Sequence, residues 1–122
     1  MAFEHSLALR EVRKHRDGVT VDFPLRDEFL NGTGVLHGGV IAAIADEAAW
    51  HALVHAHNGR REMTTTELKV NYLRPMVGKK VVARAYVLRA GKTLSVTRVD
   101  LFDAQKRLSA IAIVTYMLLP PK

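Results

Sequence analysis

Apolar and polar residues alternate with a period of two along most of this 122-residue chain. Because successive side chains of a strand point to opposite faces, the alternation predicts β-strands. The alternating segments run over 19–25, 68–72, 81–87, 94–96 and 111–117. Turn signals separate them at Asp17-Gly18, at Pro75 to Gly78, at Ala90-Gly91 and at Asp103-Ala104.

One segment, from Gly39 to about His57, lacks this alternation. It is rich in alanine, it is apolar on nearly every side, and Gly59 follows it as a stop signal. We predict a helix here that lies against one face of an antiparallel sheet. Because a sheet of about five strands covers only part of such a helix, its remaining apolar surface predicts a partner subunit, with a homodimer as the minimum.

The length of the chain indicates one domain, residues 1–122, since ~100–150 residues can bury a core without added cross-links. The chain has no cysteine, which excludes a disulfide framework, a thiolate metal site and a cysteine nucleophile. No signal peptide is recognisable, and no apolar run approaches the ~20 residues that span a bilayer. We therefore expect a cytoplasmic protein without a membrane partner.

The charge balance favours a polyanionic partner. Lysine and arginine number 18 against 12 acidic residues, giving a net charge of +6 and a pI near 10.0. This charge fits nucleic acid or a phosphorylated small molecule equally well. The basic residues are scattered and are not interleaved with aromatic residues, as a base-stacking surface requires, so we do not expect nucleic acid as the partner.

Two common catalytic devices do not fit the sequence. Gly91-Lys92-Thr93 resembles the end of a phosphate loop, but that loop needs a glycine where the chain has Tyr86. None of the serines stands in the G-x-S-x-G elbow of serine esterases. Neither a phosphate loop nor serine hydrolysis is therefore predicted.

A polar, glycine-rich junction, Asn31 to Gly39, leads into the predicted helix. A helix N-terminus offers unpaired N–H groups and about half a positive charge, which can polarise a carbonyl or hold an anion. Glycines at 38 and 39 would let a substrate approach the backbone, although a tight structural turn would also use them. Burying an unpaired carboxylate costs several kcal/mol, so Asp46 and Glu47 within the helix favour a functional site.

Helix geometry predicts where the helix N-terminus and the two carboxylates lie relative to one another. Successive residues diverge by ~100°, so we expect that Asp46 and Glu47 do not both face one pocket. Glu47 shares its face with His51 and His55, a set that could bind a metal, but we expect none, because histidines near a helix C-terminus are favoured by its dipole. Gly38 and Asp46 lie ~12 Å apart along the axis. A helix N-terminus and an acid would therefore meet at one carbonyl only across an antiparallel dimer.

The junction with its His37-Gly38-Gly39 triplet, the acid Asp46, the segment 67–75 and Gly91-Lys92-Thr93 together resemble a known family over residues 31 to 118. That family is the PaaI-type branch of the hotdog-fold acyl-CoA thioesterases. The resemblance implies an α+β hotdog fold, in which an antiparallel sheet of about five to six strands wraps one long central helix. It also implies hydrolysis of an aryl- or medium-chain acyl-CoA to the free acid and CoA.

The resemblance further implies a role for each catalytic residue. Asp46 is implied as the nucleophile or as the general base that activates water, and the Gly38 N–H as the group that polarises the thioester carbonyl. Asn31 positions water or assists at the carbonyl, Thr65 holds the water or Asp46, and His37 shapes the loop. In a neighbouring branch the helix acid is glutamate, so Glu47 is the alternative to Asp46.

CoA is implied to be part of the substrate, so no cofactor is expected. The assembly is implied to be a homotetramer, a dimer of dimers, with CoA along a subunit interface. The residues expected to contact CoA are Gly39, Arg74, Arg89, Gly91, Lys92 and Thr93.

Two other functions stay open on the sequence. A hydratase or dehydratase of the same fold would use a histidine with an acid, such as His37 with Asp46 or Glu47. Its pattern, however, places an apolar residue and a proline after the histidine, where this chain has two glycines. A non-catalytic acyl-CoA sensor could use the same pocket, although a pure binder does not need a buried acid.

Overall fold

The computed structural model describes residues 7, 9, 11–30 and 34–120. Within them the chain forms one long helix, α1 (Gly38–Ala56), and a short 3-10 turn at Asp27–Phe29. The strands are β1 (Glu11–His15), β2 (Gly18–Pro24), β3 (Met63–Tyr72), β4 (Lys80–Ala90), β5 (Leu94–Phe102) and β6 (Leu108–Leu118). The predicted helix and the predicted strands are confirmed.

The six strands form a single sheet in the order β1-β2-β4-β5-β6-β3, and every neighbouring pair is antiparallel. The chain leaves the sheet after β2, forms α1, and returns at the opposite edge as β3. The helix therefore crosses the inner face of the sheet from one side to the other. The predicted α+β architecture, a sheet of five to six strands wrapped around one helix, is confirmed.

An alanine stripe sets the distance between helix and sheet. The stripe consists of Ala45, Ala48, Ala49 and Ala52, all 0% exposed. Because each of these side chains ends at Cβ, the helix backbone lies close to the strands, where larger residues would hold it away. The strand residues that cover this side are Val19, Val21, Phe23, Val81, Ala83, Ala85, Val99 and Leu101.

A β-bulge divides β3 into two halves. The pairing with β6 shifts between Thr65 and Glu67, so the strand carries one extra residue there. Before the bulge, Thr65 lies opposite the inward-facing Tyr116; after it, Leu68 lies opposite the inward-facing Val114. The bulge thus lets odd-numbered residues of the first half and even-numbered residues of the second half face the helix.

One edge of the sheet and one side of the helix are incompletely covered. Strand β3 pairs only with β6 among the described residues, and its inner side chains Leu68 and Tyr72 are 37% and 53% exposed. Val40, Ala43 and Val54 of α1 are only partly buried. None of the described helices has the length and apolar character needed to cross a bilayer.

Candidate active site

Asp46 lies in the middle of α1, where two strands reach it with hydroxyl groups. Thr65 Oγ1 of β3 donates a hydrogen bond to Asp46 Oδ1 at 2.7 Å, and the Tyr116 hydroxyl of β6 donates to the same oxygen at 2.8 Å. Within the described part of the chain, Oδ2 accepts no hydrogen bond. The carboxylate is therefore held by one oxygen, and the other is free for chemistry.

Tyr116 is the member of this group that the sequence analysis missed. Its side chain is buried, and burial raises the pKa of the Tyr116 hydroxyl well above its usual range; the neighbouring Asp46 and Glu47 carboxylates raise the pKa further, while a hydrogen bond with Thr65 opposes them. Tyr116 consequently stays a neutral donor. The only signal in the sequence was its position on β6, in phase with the small inward-facing residues Ala110 and Ala112.

Asp46 opens onto a pocket of about 300 Å³ between α1 and the start of β3. Side chains that line it include Asp46, Glu47, Trp50, Arg61, Thr65 and Tyr116. The expectation that Asp46 and Glu47 cannot both face one pocket is wrong, because the side of α1 that the sheet leaves open is wide enough for both. The Arg61 guanidinium lies 4.4 Å from the centre of the Trp50 ring, so these two side chains form one wall of the pocket.

The helix N-terminus is shaped by His37 and Gly38. His37 is the N-cap, and its Nδ1 accepts a hydrogen bond from the Gly39 N–H at 3.0 Å. The Tyr72 hydroxyl donates to the Gly38 carbonyl oxygen at 2.7 Å. Within the described residues the Gly38 N–H has no hydrogen-bond partner, so it is the available donor at this end of α1.

Arg74 borders a cavity of about 370 Å³ beside Gly38 and Tyr72. It therefore lies at the helix N-terminus, as does Gly39, the second residue of α1, whereas the other four residues expected to contact CoA lie elsewhere. Asn31 falls outside the described residues. Gly38 and Asp46 are eight positions apart in one continuous helix, ~12 Å along its axis, and do not meet within one chain.

The remaining residues expected to contact CoA gather at the turn between β4 and β5. Arg89, Gly91, Lys92 and Thr93 all line a cavity of about 590 Å³. A second cavity, of about 290 Å³, shares Gly91 and Lys92 and adds His57 and Arg60 from the end of α1. Among the described residues no carboxylate lines either cavity, so the whole surface favours an anion.

Buried hydrogen bonds fix this turn. Ser95 is fully buried; its Oγ accepts from the Gly91 N–H at 3.2 Å and lies 3.0 Å from His57 Nε2. A Cβ at Gly91 would lie 2.2 Å from the Leu94 carbonyl oxygen, so only glycine fits there. Ser95 is thus a structural residue, in agreement with the absence of a serine nucleophile motif.

Metal binding by Glu47, His51 and His55 finds no support in the structure. His51 Nε2 lies 3.3 Å from Glu47 Oε1, but His55 Nε2 is directed to the His15 carbonyl oxygen at 3.2 Å. Over residues 11–30 and 34–120, no three acidic or histidine side chains form a group that could hold a metal ion.

One helix in a six-stranded antiparallel wrap defines a hotdog-fold protein, and solved structures share this fold. The Escherichia coli PaaI protein from the phenylacetic acid degradation operon superposes with a TM-score of 0.83 at 20% identity, over 97% of this chain and 84% of that one. Residues 33–110 match the thioesterase superfamily. The chain belongs to this superfamily, which confirms the predicted family and fold.

Relatives with named activities agree. The medium/long-chain acyl-CoA thioesterase YigI of E. coli K12 is 31% identical over 96% of this chain and 85% of its own length. Human acyl-coenzyme A thioesterase 13 is 33% identical over 68% of this chain and 59% of its own length. The chain is accordingly a thioester hydrolase, which decides against the hydratase and sensor alternatives.

Proposed function

We propose that this enzyme hydrolyses aryl- or medium-chain acyl-CoA thioesters, with Asp46 as the catalytic carboxylate. The observation that carries the proposal is the fixation of Asp46 Oδ1 by Thr65 and Tyr116, which leaves Oδ2 free at a pocket. A thioester carbonyl has weaker resonance than an oxygen ester. One carboxylate and one helix N-terminus therefore suffice, without a histidine relay.

The chemical step has two forms that use the same free oxygen. As a general base, Asp46 Oδ2 takes a proton from water while the water oxygen forms a bond to the carbonyl carbon, and the C–S bond then breaks. As a nucleophile, Oδ2 attacks that carbon itself, forming a mixed anhydride that water cleaves. In both forms the Gly38 N–H stabilises the negative charge that develops on the carbonyl oxygen.

The site requires two chains. Since Gly38 and Asp46 lie ~12 Å apart in one helix, the N–H that serves Asp46 belongs to a second copy whose helix runs antiparallel. The open edge of β3 and the exposed Leu68 and Tyr72 give that copy a surface to cover. A homodimer is the proposed active unit, and the tetramer that the resemblance implies would join two such units.

The cationic cavities at the β4–β5 turn support CoA as the carrier of the acyl group. They border His57, eleven positions and ~16 Å along the helix from Asp46, so an extended pantetheine arm can join phosphates at the turn to a thioester at Asp46. Arg89, Lys92 and Arg60 are the proposed phosphate contacts. Arg74 would join them only from another subunit.

The experiment that tests the function is thiol release from a panel of aryl- and aliphatic acyl-CoA esters. We expect Asp46→Asn to lower kcat by about 10³-fold or more. Glu11→Gln, at an exposed carboxylate of β1 on the opposite edge of the sheet from β3, is the matched control and should keep wild-type activity. Full activity of Asp46→Asn would refute the proposal. The CoA site is tested separately: Lys92→Ala should raise KM for the acyl-CoA, whereas the exposed control Lys79→Ala should not.

A further inference from the structure

Glu47 and His51 form a pair on the side of α1 that the sheet leaves open. His51 Nε2 lies 3.3 Å from Glu47 Oε1, one helical turn away. This nitrogen is buried and lacks a hydrogen bond within the described residues, because the contact does not have hydrogen-bond geometry. The Trp50 ring packs edge-on against His51 at 5.2 Å. A small rotation of the Glu47 carboxylate would complete the bond to His51.

The same Glu47 borders the Asp46 pocket. Asp46 Oδ1 is held by two hydroxyls, whereas the Glu47 carboxylate accepts no hydrogen bond from the described residues. Across the pocket the ionisable neighbours are Arg61 and Tyr116. Two carboxylates with different surroundings in one pocket are the arrangement that separates the roles of acid and base.

We propose that Glu47 is a second catalytic residue, which protonates the sulfur of the departing CoA, and that His51 is its positioning residue. The inference rests on the proposed function of Asp46. Glu47 enters the step with a proton of its own, and His51 Nε2 carries a separate hydrogen. After transfer, its carboxylate accepts a hydrogen bond from His51 Nε2, which supplies the partner that this buried nitrogen lacks.

Asp46 takes one proton from the attacking water as the C–O bond forms; when the C–S bond breaks, its electron pair goes to sulfur, which receives the proton from Glu47. Asp46 then loses its proton to solvent, and solvent reprotonates Glu47. One water is consumed, and one acid and one thiol are formed.

The pKa of the leaving thiol sets how strongly the rate depends on protonation by Glu47. CoA carries an alkyl thiol, comparable to cysteine with its pKa of about 8.5. A thiol with a lower pKa departs more readily as the thiolate. An ester of an acidic aryl thiol, such as 5-thio-2-nitrobenzoate, therefore has little need of Glu47, although it needs Asp46 as much as the CoA ester does.

The test compares a CoA ester with a 5-thio-2-nitrobenzoate ester of the same acyl group. For Glu47→Gln we expect kcat to fall by about 10²-fold on the CoA ester and to stay within about threefold on the aryl ester. Asp46→Asn should lose activity on both esters, and the control Glu11→Gln on neither. An equal loss on both esters, or no loss on either, would overturn the role of Glu47 and leave Asp46 in place.

The activity of Asp46→Asn tests the proposed function of Asp46 independently of the role of Glu47. If Asp46→Asn retains activity while Glu47→Gln loses it on both esters, the proposed function of Asp46 fails and Glu47 is the main carboxylate. For His51, we expect His51→Leu to reproduce the selective loss on the CoA ester and His51→Gln, which keeps an N–H donor, to restore part of it. A loss on both esters for His51→Leu would mean that His51 only supports the fold.

Discussion

The hydroxyl of Tyr116 lies 2.8 Å from Asp46 Oδ1 and 3.0 Å from the backbone carbonyl oxygen of the same residue. One side chain of β6 therefore contacts both the carboxylate and the helix backbone that carries it. Because burial raises the pKa of Tyr116, its hydroxyl keeps its proton and remains a hydrogen-bond donor to Asp46. The orientation of Asp46 is thus set by the sheet.

Removing either hydroxyl should impair catalysis more than binding. For Tyr116→Phe and for Thr65→Val we expect kcat to fall about 10-fold each, with KM changed by less than about twofold, because a loosened carboxylate affects the transition state. Thr65→Ser keeps the hydroxyl and should recover most of the rate. Steady-state kinetics on one acyl-CoA measure this, and an unchanged kcat in both single variants would contradict it.

The Gly38 N–H can be removed without disturbing the helix. Proline is well tolerated at the first helical position, and the extended conformation of His37 (φ −61°, ψ 132°) suits the residue before a proline. We expect Gly38→Pro to lower kcat by about 10²-fold or more, as for other donors to a developing oxyanion.

Gly38→Ala is the comparison, since it keeps the N–H and its Cβ would lie 3.5 Å from the Tyr72 ring, an ordinary contact. It should lose less than about fivefold in kcat. Similar losses in the alanine and proline variants would mean that the space at residue 38, and not its N–H, matters.

A composite site predicts complementation between two inactive variants. In a mixed dimer of Asp46→Asn and Gly38→Pro chains, one of the two sites pairs an intact Asp46 with an intact Gly38. Random reassortment of equal amounts should then restore about a quarter of the wild-type activity. If each chain used its own Gly38, the mixture would stay inactive; light scattering on the same samples reports the oligomer.

Gly91→Ala should distort the β4–β5 turn, because the new Cβ would meet the Leu94 carbonyl oxygen at 2.2 Å. We expect KM for an acyl-CoA to rise by about tenfold or more, while KM for the N-acetylcysteamine ester of the same acid, which lacks the nucleotide, changes little. Gly59→Ala is the control: its Cβ has open space, and only its φ of +93° is unfavourable, at roughly 1 kcal/mol. An equal rise for both esters would argue against nucleotide binding at the turn.

Asp103 predicts an acid-sensitive contribution to stability. Hydrogen bonding from the backbone N–H of Arg107 holds the pKa of Asp103 below its usual 3.8, and the Arg107 side chain adds to this against the opposing effect of burial. Since the folded-state pKa is the lower one, the carboxylate stabilises the fold above about pH 4, and this contribution is lost as the pH falls through the folded-state pKa. Asp103→Asn should melt lower than wild type at pH 7, with the gap closing below pH 4; a constant gap would refute this.

The helix and its acid could be predicted from the sequence because both are local. An alanine-rich run between a glycine-rich junction and Gly59 defines α1, and Asp46 stands out within it. Strand β1 could not be predicted by alternation, since Glu11–His15 contains one apolar residue and forms through its pairing with β2.

Which side chains contact Asp46 depends on the register of the β-strands, and the alternation of apolar and polar residues does not determine that register. Tyr116 meets Asp46 because it pairs with Thr65, and that pairing is set by the bulge that follows Thr65. Glu47 was expected to face away from the Asp46 pocket because successive helical residues diverge by ~100°. That angle gives the direction in which each side chain leaves the helix, but it does not say how much of the helix surface the sheet leaves uncovered. Similarly, only the structure shows that Arg74 and Lys92 lie at opposite ends of α1.

The alanine stripe in the core sets the position of the catalytic carboxylate relative to its hydrogen-bond donors. Asp46 reaches Thr65 and Tyr116 only at the helix height that Ala45, Ala48, Ala49 and Ala52 allow. Even the one hydroxyl that Ala49→Ser adds, or the two methyl groups that Ala49→Val adds, would move the carboxylate away from its hydrogen-bond donors before the protein unfolded. Larger side chains at these four positions are therefore excluded by catalysis, even where they would stabilise the core. Laboratory selection for heat resistance should yield stabilising substitutions elsewhere in the chain.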